Sequence, residues 1–124
     1  MPSDYTLEYP ISEKEAFERS HDMLGDKYDS EFDRSDAPLS VAYFERMFTE
    51  ACEIAEKNDV PLYCGEYGVI DQADTQSTLR WFKDIHAAFE KMDIARAAWT
   101  YKQKDFGIID EHYADIRDEL VKLL

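Results

Sequence analysis

The sequence predicts an α/β architecture with parallel strands. Three observations predict it. From Ser40 onward, helix-type and strand-type patterns alternate as α-β-α-β-α. Such alternation implies parallel strands joined by right-handed crossovers. The strand-type run Val60 to Gly65 is apolar on both faces, which predicts burial on both sides. The chain has 124 residues, 44% apolar and 34% charged, which fits one globular domain with one core.

Each element has its own signal. Residues 1–39 form an acidic N-terminal segment with a short helix and a loop; through Asp36 it holds eleven Asp or Glu against four Lys or Arg. Ser12-Glu13-Lys14-Glu15 is a capping box, so a helix is expected from Glu13 to Leu24, stopped by Gly25. Asp26 to Pro38 reads as loop, rich in Asp and Ser, with Pro38 opposing helical geometry before it. Residues 40–124 form the α-β-α-β-α unit. Ser40 is placed to cap a helix that runs to Asn58. Its positions Phe44, Met47, Phe48, Ala51, Ile54 and Ala55 fall on one face, which predicts their burial. After the first strand, Asp74 or Thr75 begins a helix with Leu79, Phe82, Ile85, Ala88, Phe89 and Met92 inward. Ile94 to Tyr101 holds the second strand. Asp110 is expected to cap a last helix that buries Tyr113, Ile116, Leu120 and Leu123.

Charge narrows the function. The formal charge is −14. Nucleic acid is excluded as a partner, because phosphate binding needs a basic patch. An anionic membrane surface is excluded on the same ground, and no apolar stretch approaches the ~20 residues of a spanning helix. Neutral ligands such as sugars remain. Met1-Pro2-Ser3-Asp4 lacks a basic segment and an apolar signal core, so a chain expressed as written is expected in the cytoplasm. Cys52 and Cys64 read as small buried residues, not a disulfide framework.

Chemistry concentrates in two runs. In parallel α/β folds, ligands bind at the carboxyl ends of the strands. Tyr63-Cys64-Gly65-Glu66-Tyr67-Gly68-Val69 puts a carboxylate between glycines at the end of one strand. Ala98-Trp99-Thr100-Tyr101-Lys102 puts an indole at the end of the next. Neighbouring strands lie ~4.8 Å apart, so the two side chains are expected on one pocket floor. An indole face suits the apolar face of a pyranose, and a carboxylate suits its anomeric carbon.

The first run resembles the seventh-strand signature of glycoside hydrolase family 5, the cellulase and mannanase family, with its Gly-Glu-Phe/Tyr-Gly motif. The helix around Arg80-Trp81-Phe82-Lys83-Asp84 continues the likeness. So do the eighth-strand pattern Ala98 to Lys102 and the following Phe106-Gly107-Ile108. The resemblance runs from Ser40 to the C-terminus, and Tyr9-Pro10 extends it less securely. It implies a partial (β/α)8 barrel covering about the last two β/α units, with flanking helices. It implies Glu66 as the nucleophile of a retaining mechanism. It further implies Trp99 as the sugar platform and Lys102 as a donor to a sugar hydroxyl. The substrate class would be a β-1,4-glucan or a related polysaccharide, and no cofactor or metal is called for.

The departures are equally specific. The family barrel has ~250 residues. Its general acid/base is a Glu following Asn, and no Asn-Glu dipeptide occurs in this chain. Retaining hydrolysis needs two carboxylates ~5–5.5 Å apart. A chain with the nucleophile alone is expected to be inactive by itself. The alternative is a non-catalytic α/β interaction module or a decayed hydrolase fragment. Two strands cannot close a barrel, and their free edges call for self-association or for a missing barrel half.

Other motifs carry less. Asp105-Phe106-Gly107 lacks the Gly-rich loop and His-Arg-Asp element of a kinase. His21, His86 and His112 lack metal-ligand spacing. The Asp29 to Ser40 stretch has Arg34 where a calcium loop needs glycine and Ser40 where it needs glutamate.

Overall fold

A computed structural model describes residues 7–124, so the expectation for Met1–Asp4 lies outside the described residues. Helix α1 spans Glu13–Leu24, as the capping box predicts. Ser12 Oγ accepts the Glu15 N–H at 3.1 Å. The Glu13 side chain is buried, and its carboxylate accepts from Arg46 at 2.7 Å and from the Asp33 N–H at 2.9 Å. That one carboxylate ties α1, the following loop and the next helix together. The expected loop contains a 3-10 turn, Gly25–Glu31, which His21 holds through Asp29 at 3.0 Å.

Helix α2 spans Val41–Asn58. Ser40 makes no side-chain cap bond, contrary to the expectation. Asp59 ends the helix in the left-handed region at φ +53°. Phe44 and Ala55 are buried, and Phe48 stacks on Phe89 with ring centroids 5.1 Å apart. Met47, Ala51 and Ile54 are exposed instead of buried. Helix α3, Thr75–Lys91, covers only the Phe44–Phe48 side of α2, through Trp81 and Phe89. Asp74 caps α3 by accepting the Ser77 N–H at 2.7 Å, and this bond holds its carboxyl below the ordinary range. Leu79, Phe82, Ile85, Ala88 and Phe89 are buried as the pattern predicts.

Strands β1 (Tyr63–Tyr67) and β2 (Ala95–Ala98) form a two-stranded parallel sheet. β1 starts three residues later than expected. The Val60 N–H is taken by the Ala55 carbonyl at 3.1 Å, and Pro61 has no N–H to give. The ladder therefore opens at Leu62, whose carbonyl accepts the Ala95 N–H at 3.1 Å. Burial on both sides is not found. Tyr67 is buried, but Tyr63 is 61% exposed, because only one face of the sheet has a helix layer.

The last expected helix is broken into a 3-10 turn, Glu111–Tyr113, helix α4, Arg117–Leu120, and a second turn, Val121–Leu123. Its buried face is nonetheless the expected one: Tyr113, Ile116 and Leu120 are enclosed. Side chains here bond to neighbouring elements, with Asp115 accepting from Thr75 at 2.9 Å. Tyr9 and Ile11 of the N-terminal segment share the same core as the α/β unit.

Candidate active site

Glu66 is aimed by an irregularity in its own strand. Cys64 is level with Arg96 and Tyr67 with Ala98, so three steps along β1 match two along β2. Gly65 and Glu66 fill this bulge, a device that re-aims side chains and recurs beside active sites. Strict alternation would send Cys64 and Tyr67 to opposite faces. With the extra residue, both pack against the core. Glu66 is left exposed, and its carboxylate has no hydrogen-bond or ion-pair partner among the described residues. It is the penultimate residue of β1, one position inside the strand end instead of beyond it.

Trp99 is the first residue after β2 and is 42% exposed. Its N–H donates to the Tyr67 carbonyl at 2.8 Å. The residue after the carboxylate is thus bonded to the indole residue itself. Gly68 permits a second close approach. A Cβ there would lie 2.4 Å from the Trp99 carbonyl oxygen, which no side chain tolerates. Glu66 and Trp99 therefore stand at the carboxyl ends of adjacent parallel strands, both open to solvent. Lys102 is exposed two residues after the loop begins. No hydrogen bond or ion pair among the described residues joins it to either of the other two.

The loop after Trp99 has an unusual backbone. Gln103, Lys104 and Asp105 have φ of +64°, +61° and +63°. Each left-handed non-glycine residue costs roughly 1–2 kcal/mol. No sequence pattern predicts this, since none of the three is Gly or Asn. Asp110 sustains the run: its Oδ2 accepts the Gln103 N–H at 2.8 Å. This replaces the helix-capping role expected of Asp110, which makes no cap bond. The loop is also stitched by Ile108 N–H to the Thr100 carbonyl at 2.9 Å and by Asp71 N–H to the Asp105 carbonyl at 2.7 Å.

Tyr113 supports the rim from below. It is fully buried, and its hydroxyl donates to the Val69 carbonyl at 2.6 Å. Burial, reinforced by the Asp71 carboxylate, pushes its hydroxyl up to about 12. A separate apolar groove of about 360 Å³ lies between Leu7, Tyr9, Tyr43, Ile70 and Trp81, and neither Glu66 nor Trp99 lines it. No group of three or more metal-ligating side chains occurs among the described residues. No helix among them is long and apolar enough to cross a membrane. Cys52 and Cys64 are free thiols, half-buried and not fully enclosed as expected.

Two parallel strands, a crossover helix and polar side chains at the strand ends define a unit of β/α-barrel type. The comparisons with known proteins name its relatives. No family model matches the sequence. Endoglucanase C of Acetivibrio thermocellus is 36% identical over 98 residues, covering 79% of this chain and 29% of that protein. Cellodextrinase A of Ruminococcus flavefaciens is 49% identical over 61 residues, covering 49% of this chain and 18% of that protein. The crystal structure of an endoglucanase from the hyperthermophile Thermotoga maritima superposes with a TM-score of 0.57 at 26% identity. That match covers 68% of this chain and 27% of the solved one. The chain thus spans less than a third of the length of the curated relatives it matches. It is related to the cellulase-type enzymes of glycoside hydrolase family 5, which fits the C-terminal portion of such an enzyme implied by the sequence motifs.

Proposed function

We propose that this chain is the nucleophile-bearing segment of a retaining glycoside hydrolase acting on a β-1,4-glucan or a related polysaccharide. It would supply the last two β/α units of a barrel. Glu66 attacks the anomeric carbon, Trp99 stacks under the sugar at the cleavage point, and Lys102 donates to a sugar hydroxyl. The carrying observation is the bulge at Gly65–Glu66, which leaves an unpartnered, exposed carboxylate beside the residue that bonds Trp99. A carboxylate free of partners keeps its lone pairs for a substrate.

Retaining chemistry splits into two steps. In the first, a Glu66 oxygen forms a bond to the anomeric carbon while the glycosidic oxygen leaves with a proton. In the second, water displaces Glu66 and its proton returns to the acid/base. This chain holds no Asn-Glu acid/base, and proton transfer of that kind contributes about 10²–10⁴-fold. Turnover therefore requires the remainder of a barrel, on the same or another polypeptide. The free edges of β1 and β2 are where its strands would pair.

The test is a chimera in which this chain replaces the matching portion of Endoglucanase C. The chimera should hydrolyse a soluble cellulose derivative, and Glu66→Gln should abolish that activity. Hydrolysis that survives the substitution would remove Glu66 from the role. The second reading, a decayed or non-catalytic module, is favoured by the missing acid/base. It predicts a folded chimera with no turnover and no response of Trp99 fluorescence to cellobiose, with Trp99→Phe separating the Trp81 signal.

A further inference from the structure

We infer that Asp110 is a positioning residue for sugar binding, and that the loop it clamps presents Tyr101 as a second platform beyond Trp99. The inference rests on the reading of Trp99 as a sugar platform and extends it to the next ring of the chain. The ligand class is a β-linked gluco-oligosaccharide longer than two units.

Tyr101 is 73% exposed, the highest exposure among the large apolar side chains described. An exposed aromatic of this size usually lies down on the surface it can reach. Here the backbone is held at Tyr101 itself and at Thr100 before it. The Tyr101 carbonyl accepts the Ile109 N–H at 3.2 Å, and the Thr100 carbonyl accepts from Ile108. Two positions further on, the three left-handed residues turn the chain sharply back. A run of this kind persists only where its surroundings over-determine it.

Asp110 supplies that constraint with one oxygen. Its Oδ2 accepts the Gln103 N–H at the start of the run. The same oxygen fills the space over Gly107, where an added Cβ would lie 2.1 Å from Oδ2 and 2.5 Å from the Gln103 nitrogen. Gly107 and Asp110 are thus two halves of one clamp. Asp110 is half-buried, and its side chain bonds the Gln103 N–H and neither Glu66 nor Trp99. Its effect on sugar would pass through the loop. Glucan rings are linked in line, so a chain resting on Trp99 continues past the next residues of the same rim. Tyr101 and Lys102 are those residues, an aromatic face beside a cation that donates to hydroxyls.

The experiment uses the chain as it stands. Cellobiose and cellotetraose are titrated against the indole N–H signal of Trp99, assigned with Trp99→Phe. The Gln103 amide is followed by hydrogen exchange. Tyr101→Ala should weaken cellotetraose by about tenfold, the equivalent of one aromatic contact, and leave cellobiose unchanged. Asp110→Ala should reproduce that selective loss and expose the Gln103 amide. Asp110→Asn, which keeps a carbonyl acceptor, should restore both. Gly107→Ala should also expose the Gln103 amide, because its Cβ would press on both Asp110 Oδ2 and the Gln103 nitrogen. Equal weakening of both sugars by Asp110→Ala, together with a loss of thermal stability, would overturn the positioning role. If neither sugar moves Trp99 in the unaltered chain, the platform reading itself fails. An unchanged Gln103 amide in Asp110→Ala would instead sink the clamp alone.

Discussion

At the carboxyl ends of β1 and β2, backbone meets backbone. Trp99 bonds Tyr67, its carbonyl fills the space over Gly68, and Tyr113 holds Val69 from below. On α2, Met47, Ala51 and Ile54 recur at helical spacing and cover nothing among the described residues. Both regions carry the apolar signal of a packed interface, yet only the rim uses it among the described residues. The rim is complete because all its parts lie within one stretch, Tyr63 to Tyr113. The α2 stripe lies bare because no element among the described residues covers it. The matched stretch is 29% of Endoglucanase C, so that relative has chain to spare for such a neighbour.

Gly68→Ala breaks the rim most severely. The clash is with a backbone oxygen, not with a side chain that can rotate away. Overpacking of this kind costs ~1–3 kcal/mol, and a backbone neighbour places it near the upper end, about 3 kcal/mol. Urea melts should show that loss, with the Trp99 environment changed in the folded state. A melt superimposable on the parent would mean that Trp99 and Gly68 are not in close contact.

Tyr113 gives a smaller effect with a pH signature. Tyr113→Phe leaves the Val69 carbonyl without its donor, a loss of about 1 kcal/mol near neutral pH. The Tyr113 hydroxyl titrates at about 12 in the folded chain and near 10 when unfolded. Between those values the folded state holds the proton and the unfolded state does not, so stability falls as pH rises. Its contribution is fully present below pH 10 and disappears through about pH 12. Tyr9 adds to the same trend, since burial and the Asp84 carboxylate push its hydroxyl well above the tyrosine range. Alkaline melts of Tyr113→Phe should show a shallower decline than the parent. An identical decline would assign the alkaline loss to the other tyrosines that burial pushes up, Tyr9 and Tyr67.

What the sequence shows and what it hides divide along physical lines. Ser12 with Glu15, Asp74 with Ser77 and the inward face of α3 are local signals, read within one or two turns, and the structure follows them. Glu66 and Trp99 are legible as residue types, but the bulge that aims Glu66 is not. It exists only in the pairing of two strands thirty residues apart, and Gly65 is its sole local trace. Asp110 carries a capping signature that its surroundings override, because the Gln103 N–H competes for the same oxygen. The left-handed run 103–105 has no sequence trace at all. Met47 and Ile54 were expected inside for a sound reason, helical periodicity. That periodicity reports which face wants burial, not whether a neighbour is present.

The last prediction concerns that bare face, and its expected effect on the chain's own stability is the smallest. Met47→Gln and Ile54→Gln replace side chains that are 49% and 55% exposed. Substitutions at such positions change stability by less than about 0.5 kcal/mol, so the urea melt of the double variant should overlay the parent. In the chimera with Endoglucanase C the same two substitutions should cost more where the added chain packs on this face. The difference between the two contexts measures how much of the α2 face belongs to the rest of a barrel. Copies of this chain each carry a formal charge of −14, and their mutual repulsion opposes burying the stripe in a homo-oligomer at low salt. Light scattering of the isolated chain at low and high salt decides the point. A monomeric mass under both conditions leaves the barrel remainder as the occupant. A larger mass that the double variant abolishes would assign the stripe to a second copy instead.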